Sequence, residues 1–168
     1  MSISYTTVAS PLGWLLVAAT ERGLRAVSFG ESAARLESSP ARHYPEATPR
    51  RNDTILAPMV ATLLDYLDGQ KSRLDLPVDV PATPLQTVVW RALRAIPYGE
   101  TRSYGDVSRS IASPATAQEV AQACASNPVA LVVPCHRVVR SDGSLAGYRW
   151  STSRKRLLLA LEGAAVAV

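Results

Sequence analysis

The chain has 168 residues, 47% of them hydrophobic and 19% charged, which is ordinary for a globular protein of one or two small domains. Its apolar runs are too short for a membrane span of roughly 18–20 residues, and its N-terminus lacks a signal-peptide pattern. Its two cysteines form neither a disulfide scaffold nor a Cys-x-x-Cys metal pair. We therefore expect a cytoplasmic protein that does not bind membranes, in a reducing location that keeps thiols free.

The first third of the chain is predicted to be an antiparallel β-meander. Turn residues such as Gly, Pro and Ser separate three runs that are rich in strand-forming residues. These runs cover residues 3–9, 13–19 and 24–29.

The next part is predicted to be a loop, a helix and a linker. Residues 38–52 are polar and contain three prolines, which indicates a loop, and His43 within it is interpreted as an exposed residue with no role. Apolar side chains then recur at helical spacing from Asp53 to Gly69. Three prolines within residues 77–84 predict a linker. We therefore divide the chain into an N-terminal domain, residues 1–80, and a C-terminal domain, residues 81–168.

The net charge of +4 is concentrated in the second half. Residues 1–83 carry 8 Lys and Arg against 9 Asp and Glu, whereas residues 84–168 carry 10 against 5. A basic half is typical of a module that binds a polyanion such as nucleic acid, although an excess of this size is also common on ordinary solvated surfaces.

Helix-start signals are sharper beyond the linker. Thr83 and Gln86 stand in capping-box register around a proline, which predicts a helix to about Ile96. Ser103 and Asp106 repeat the signal for a helix that runs to about residue 111.

A third helix is predicted from a Ser113-Pro114 cap to about Ala125, and a last one from Ser153 to Glu162. Two short helices joined by a tight corner have the proportions of a helix-turn-helix, but an ordinary helical hairpin fits the spacing equally well. The second helix of this pair is rich in alanine, and small side chains let a backbone approach a helix or a nucleic-acid groove closely.

The stretch from Val132 to Val139 is predicted to be a buried strand that sets Cys135 beside His136. A thiolate is the nucleophilic form of cysteine, and a nearby imidazole can take its proton. However, neighbouring side chains on a strand point to opposite faces, and a free cysteine is often only a small buried apolar residue. Cys124 is interpreted in that second way.

Several motifs of the C-terminal half agree in order and spacing with one known family. They are Pro134–Val139, Asn127-Pro128, residues 96–101, Ser103-Tyr104, Gly147-Tyr148 and Lys155. This pattern closely resembles the O6-alkylguanine-DNA alkyltransferases over residues 84–163, and more loosely over residues 1–80. The resemblance implies an α+β fold: a small N-terminal α/β domain with an antiparallel, ribonuclease-H-like sheet, then a mostly helical domain with a helix-turn-helix.

The resemblance also implies direct-reversal repair of O6-alkylguanine in double-stranded DNA. Cys135 would take the alkyl group irreversibly from a base flipped out of the duplex, once per protein molecule. His136 would draw off the thiol proton through a water, and Glu162 would orient the imidazole. Asn127 would be a hinge between the helix pair and the active-site segment. No cofactor is implied.

Residues that bind the substrate base follow from the same motifs. Tyr104 would donate to the purine ring as negative charge builds on it, and Lys155 would hold or polarise Tyr148. Ala146 stands where several relatives have Gly, so we expect it to disfavour large alkyl groups such as benzyl.

The alanine-rich helix would enter the minor groove, and the protein is expected to act as a monomer. Contacts with DNA are predicted for Ser113, Ala117, Gln118, Ala121 and Ser141. Where the family has an arginine that fills the vacated stack, this chain has Gln118, which lacks the charge and stacking plane of guanidinium. The following residue is a glutamate, which would repel phosphates. We therefore predict that Gln118→Arg with Glu119→Ala strengthens DNA binding and speeds repair.

Metal binding and two other functions are also considered. Residues 1–80 contain no cysteine and only one histidine, so we expect no metal. A lesion sensor that binds alkylguanine without repairing it stays open because of Gln118 and Glu119, although sensors of this family lack the cysteine. A cysteine hydrolase is the third possibility, but no oxyanion-hole motif accompanies Cys135, and adjacent Cys and His are not the usual protease arrangement.

Overall fold

The computed structural model describes residues 1–39 and 44–165, so His43 lies outside the described residues. The chain forms two compact units. The first contains Met1–Val80 together with Pro128–Ala130, and the second contains the other described residues. No helix within the described ranges is long and apolar enough to cross a membrane.

The first unit is built on a four-stranded sheet. Its strands are β1 (Ser4–Ser10), β2 (Gly13–Ala19), β3 (Leu24–Gly30) and β4 (Arg50–Arg51), in the order β3-β2-β1-β4. The three predicted strands are confirmed, and they pair antiparallel. The sheet as a whole is mixed, because β4 lies within the predicted loop and pairs parallel with β1.

Both faces of the central strand β2 are covered. Helix α2 (Asp53–Leu67) packs against β1 and β2, and the short helix α1 (Ala33–Ser38) packs against β2 and β3. Leu15 to Ala19 are therefore all buried, which explains why β2 is a continuous apolar run rather than an alternating one. The prediction of α2 is confirmed to within two residues of its C-terminal end. Helix α1 lies in a segment for which no element was predicted.

The outer edge of β3 is occupied by the segment that follows Asn127. The Val27 amide donates to the Pro128 carbonyl at 3.0 Å, and the Ala130 amide donates to the Val27 carbonyl at 3.0 Å. Val129 and Ala130 are fully buried there. The chain therefore enters the first unit for three residues only, just before it reaches Cys135.

The second unit is mostly helical. Its elements are α3 (Pro84–Arg94), α4 (Tyr104–Ser110), α5 (Ala117–Ala125), α6 (Thr152–Leu161) and a parallel pair of two-residue strands, β5 (Arg102–Ser103) and β6 (Val138–Val139). The capping boxes predicted for α3 and α4 are both present. The indole of Trp90 on α3 donates to the Ala123 carbonyl on α5 at 2.8 Å, which ties these two helices together.

The predicted start of α5 is wrong. The cap is Thr116 rather than Ser113: the Thr116 hydroxyl accepts from the Glu119 amide, and the Glu119 carboxylate accepts from the Thr116 amide. This reciprocal capping box satisfies two helix-end donors, whereas a cap at Ser113 would have Thr116 at the reciprocating position. The connection between α4 and α5 is therefore longer than the predicted corner, and Ser113 lies half-buried within it.

The prediction of a buried strand around Cys135 is also wrong. Cys135–Arg137 form a single 3-10 turn, closed by the Arg137 amide donating to the Pro134 carbonyl at 2.9 Å, and only Val138 and Val139 are in a strand. Proline has no amide hydrogen for a sheet ladder. The alternation of side chains along an extended strand therefore does not apply to Cys135 and His136.

Candidate active site

Cys135 lies on the wall of a cavity of about 510 Å³ in the second unit. The walls are formed by Tyr104, Ala121, Cys124, Ala125, Cys135, Arg140, Ala146, Gly147, Tyr148 and Arg149. Cys135 is only 5% exposed, so the cavity is the route by which a substrate atom would reach its sulfur.

The Asn127 side chain holds the thiol in place. Its amide group lies 3.4 Å from the Cys135 sulfur and donates to the Val133 carbonyl at 2.9 Å. Burial raises the pKa of the Cys135 thiol, while the Asn127 hydrogen bond and the positive charges of Lys155 and Arg149 act in the opposite direction. Burial prevails, so the resting group is a thiol, and a base must remove its proton before it can attack.

A buried ionic network stands behind the thiol. His136 Nε2 lies 2.7 Å from Glu162 Oε2, and the Arg137 guanidinium donates to both carboxylate oxygens at 2.8 and 3.1 Å. Arg137 also donates to the Ile96 carbonyl at 2.7 Å, which fixes the network to the end of α3. Glu162 is therefore balanced by a full positive charge, a role that the sequence analysis did not assign to Arg137.

The network determines how His136 is protonated. Burial lowers the pKa of His136, and the hydrogen bond to Glu162 opposes this only in part. A neutral imidazole beside a carboxylate carries its hydrogen on Nε2, which leaves the lone pair on Nδ1. Among the described residues, Nδ1 has no hydrogen-bond partner. His136 is thus arranged as a base whose accepting nitrogen is available.

Two other predicted residues have partners different from those expected. Lys155 is fully buried, and its ammonium donates to the Val138 carbonyl at 2.6 Å rather than to Tyr148. Burial lowers the pKa of Lys155 to about 8. The Tyr148 ring instead packs edge-to-face against Trp150, with ring centroids 5.2 Å apart. It also lies edge-to-face to the His136 ring, with centroids 6.5 Å apart.

Tyr104 and the alanine-rich helix form the opposite part of the cavity wall. Burial is the main cause that raises the pKa of Tyr104 to about 12, so its hydroxyl stays protonated and can donate a hydrogen bond at neutral pH. Cys124 lies on this wall as well, and burial raises its pKa to about 12, which keeps it protonated. Its position on the wall was not predicted, because it depends on how α5 packs.

The predicted DNA-contacting residues are not all in the cavity. Ala121 lines it, whereas Ala117 and Gln118 are exposed on the first turn of α5, and Ser141 is exposed in the turn after β6. The structure therefore groups Cys135, Tyr104, Ala146 and Tyr148 around one cavity and leaves the first turn of α5 outside it.

The fold and site define a protein with a sheet-based first unit and a helical second unit that carries a thiol at a cavity wall. Residues 3–80 match the family model described as the 6-O-methylguanine DNA methyltransferase, ribonuclease-like domain, and residues 84–164 match the 6-O-methylguanine DNA methyltransferase, DNA binding domain. The chain belongs to the 6-O-methylguanine DNA methyltransferase family, which confirms the resemblance and the predicted fold class.

Relatives and solved structures agree with this assignment. The chain is 41% identical over 162 residues to the bifunctional transcriptional activator/DNA repair enzyme Ada of Escherichia coli, covering 96% of this chain but only 46% of that protein. It is 39% identical to a methylated-DNA--protein-cysteine methyltransferase of Mycolicibacterium paratuberculosis, covering 95% of this chain and 92% of the relative. The crystal structure of Mycobacterium tuberculosis O6-methylguanine methyltransferase aligns with a TM-score of 0.80 at 37% identity, over 99% of this chain and 96% of that one.

Proposed function

We propose that this chain repairs DNA by direct reversal, moving an alkyl group from O6-alkylguanine in duplex DNA onto Cys135. The observation that carries the proposal is the cavity-lining thiol with the Asn127 amide on its sulfur and a neutral imidazole next to it in the chain. The relatives of matching length are named for this transfer, and one structural relative, at TM-score 0.79, was solved in complex with DNA.

The first step is removal of the thiol proton. His136 Nδ1 accepts it through a bridging water, since neighbouring side chains on the 3-10 turn do not meet directly. Glu162 then stabilises the imidazolium, and Arg137 keeps the carboxylate aimed at Nε2. The Asn127 amide and the charges of Lys155 and Arg149 stabilise the thiolate that remains.

The second step is an in-line displacement at the alkyl carbon. A bond forms between the Cys135 sulfur and that carbon, the bond to O6 breaks, and its electron pair leaves with the guanine. Tyr104 donates a hydrogen bond to the purine as this charge develops. The proton that His136 took from the thiol then passes through water to the guanine anion, which leaves neutral guanine and a neutral imidazole. The thioether is stable, so each molecule acts once.

The helix pair α4 and α5 would hold the duplex. The target atom lies inside a stacked base pair, so the nucleotide must rotate out before it can enter the cavity. We propose that α5 lies in the minor groove, with Gln118 and Ala117 on its exposed first turn. Ser113 and Ser141 contact the DNA backbone in this proposal. The protein acts as a monomer.

Intact-mass measurement after incubation with duplex DNA containing O6-methylguanine tests the proposal. The protein should gain one methyl group per molecule and then react no further. Cys135→Ala should gain nothing, whereas Cys124→Ala should still gain one methyl, because that thiol stays protonated. Binding without any mass change would indicate a lesion sensor, and repeated turnover without mass change would indicate a hydrolase; either result contradicts the proposal.

A further inference from the structure

The charged groups on the cavity wall are both cations. Arg140 and Arg149 line it, and no carboxylate does. Arg149 is already engaged: it donates to the Asn127 carbonyl at 2.9 Å and stacks over the Trp150 ring at 5.4 Å. The wall therefore carries two positive charges: that of Arg149 acts on the Cys135 thiol, and that of Arg140 has no role in the steps proposed above.

Arg140 is held at the start of a tight turn. Its amide donates to the Ser144 carbonyl at 3.0 Å, and its carbonyl accepts from the Gly143 amide at 2.8 Å. In the part of the chain that the structure describes, its side chain makes one hydrogen bond, from Nη1 to the Leu145 carbonyl at 3.0 Å. Four of the five guanidinium hydrogens thus remain available, on a group whose backbone is fixed.

We propose that Arg140 stabilises the negative charge that the guanine acquires as the alkyl group leaves it. This inference rests on the proposed function. During transfer, both electrons of the bond between carbon and O6 move onto the purine, which at that moment lies among the wall residues. Tyr104 offers a neutral donor to this charge, and Arg140 offers a full positive charge on the same wall.

The electrostatics of the cavity agree with this role. Arg140 and Tyr104 line the same cavity, and the Arg140 charge lowers the pKa of Tyr104, against the larger effect of burial, which raises it. A cation that favours negative charge on one side of the cavity makes the phenol a stronger donor and the purine a better leaving group. The Asp142 carboxylate in the same turn hydrogen-bonds to Ser144 and does not line the cavity, and the Arg140 charge contributes to the lowering of its pKa, after the hydrogen bonds with Ser144.

The test separates chemistry from DNA binding. Single-turnover methyl transfer is measured over a range of methylated duplex concentrations, which gives a limiting rate constant and a half-saturating concentration. Arg140→Met should lower the limiting rate constant about ten-fold while the half-saturating concentration changes less than about two-fold, since an exposed charge at the cavity contributes less than a buried oxyanion donor. Arg140→Lys should keep most of the rate.

Two further variants exclude simpler explanations. Arg140→Gln keeps a donor for the Leu145 carbonyl without the charge, so it should be as slow as Arg140→Met. Arg73→Met removes the same charge from an exposed side chain in the first unit and should change nothing. Unchanged thermal unfolding of all variants shows that the turn is intact.

Three results would overturn the inference. The first is a higher half-saturating DNA concentration with an unchanged limiting rate constant, together with a slope of log affinity against log salt concentration that is smaller by about 1. This result would mean that Arg140 contacts a phosphate. A normal rate for Arg140→Gln would mean that only the hydrogen bond to the Leu145 carbonyl matters. Equal rates for all variants would mean that Arg140 has no role. If the wild type itself gains no methyl group, the proposed function fails instead, and that result is distinct from the three above.

Discussion

At the scale of single residues, the site depends on a histidine kept neutral by its surroundings. Burial lowers the pKa of His136, so the base form dominates at neutral pH and is lost only when the pH falls through that lowered value. We expect the rate of methyl transfer to stay level down to pH values below about 6.5 and to fall beyond that.

Glu162→Gln checks this assignment. Both the hydrogen bond and the charge of Glu162 raise the pKa of His136, so His136 should be a weaker base in the variant. The rate of methyl transfer at neutral pH should then be lower by about ten-fold, and the acid limb of the pH–rate profile, where the rate falls, should lie at still lower pH. A shift of the acid limb to higher pH would contradict the assignment.

By linkage, the neutral His136 side chain contributes stability above about pH 6.5, and this stability is lost as the pH falls through its lowered pKa. Urea unfolding of the wild type at pH 7.5 and 5.5 measures this loss.

Arg137 and Glu162 form a buried pair whose members depend on each other. Arg137→Met leaves the carboxylate buried without its cation, which should lower the free energy of unfolding by about 3–5 kcal/mol. Arg137→Met combined with Glu162→Gln removes both charges and should recover most of this loss in urea unfolding. A double variant as unstable as the single one would show that packing, rather than charge pairing, is the cause.

Ala146 is predicted to limit the size of the alkyl group, since its side chain lines the cavity. Ala146→Gly should raise the rate of benzyl transfer about ten-fold or more and change methyl transfer little, because one methyl group in an apolar pocket is worth about 1–3 kcal/mol. Methyl transfer by the same variant is the internal control, because a methyl group does not need the space that the Ala146 side chain fills. Equal benzyl rates for Ala146→Gly and the wild type would contradict the prediction.

At the scale of elements, α5 shows why a substitution chosen from sequence alone needs revision. Glu119 is half of a capping box, so Glu119→Ala would remove a helix cap as well as a charge. Glu119→Gln removes the charge and keeps an acceptor for the Thr116 amide.

We expect Gln118→Arg with Glu119→Gln to bind duplex DNA more tightly than the wild type, with a steeper dependence on salt, because a cation is gained and an anion is lost on an exposed turn. Gln118→Arg with Glu119→Ala should bind similarly but lose about 0.5–2 kcal/mol of stability. Fluorescence anisotropy at two salt concentrations and thermal unfolding measure the two effects. Unchanged affinity in both double variants would place this turn away from DNA.

The elements that sequence predicted are those with local causes. Strands β1 to β3, helix α2, and the capping boxes of α3 and α4 follow from periodicity and end signals within a few residues. The two-residue strand β4 and the 3-10 turn at Cys135 carry no such signal, because tertiary contacts fix them. The six-residue helix α1 has an N-cap, Ser32, but only one buried residue, Leu36, so it shows no apolar periodicity. The candidate site shows the same difference between local and long-range causes. The Pro134–Val139 motif predicted the thiol and the imidazole, whereas the pairing of Arg137 with Glu162 joins residues 25 positions apart and was not predicted.

At the scale of the whole molecule, the chain passes through the first unit between Asn127 and Cys135. Asn127 belongs to the second unit, Pro128–Ala130 belong to the first, and Leu131, at the left-handed φ of 72°, returns the chain to the second. The strain at Leu131 is tolerated because its neighbours on both sides are fixed. A change in the first unit at residues 128–130 should therefore reach the Asn127 amide and the sulfur that it contacts.

Val129→Ala tests this coupling against Val17→Ala, another fully buried valine of the first unit, which lies on β2. Each variant deletes the same two methyl groups and should lower the free energy of unfolding by about 1–3 kcal/mol. Only Val129→Ala should also slow methyl transfer, measured well below the unfolding temperature of both variants, because only its segment leads directly from Asn127 to Cys135. If both variants slow transfer equally, the effect is general loss of stability; if neither does, the β3 edge supports the fold without positioning the thiol.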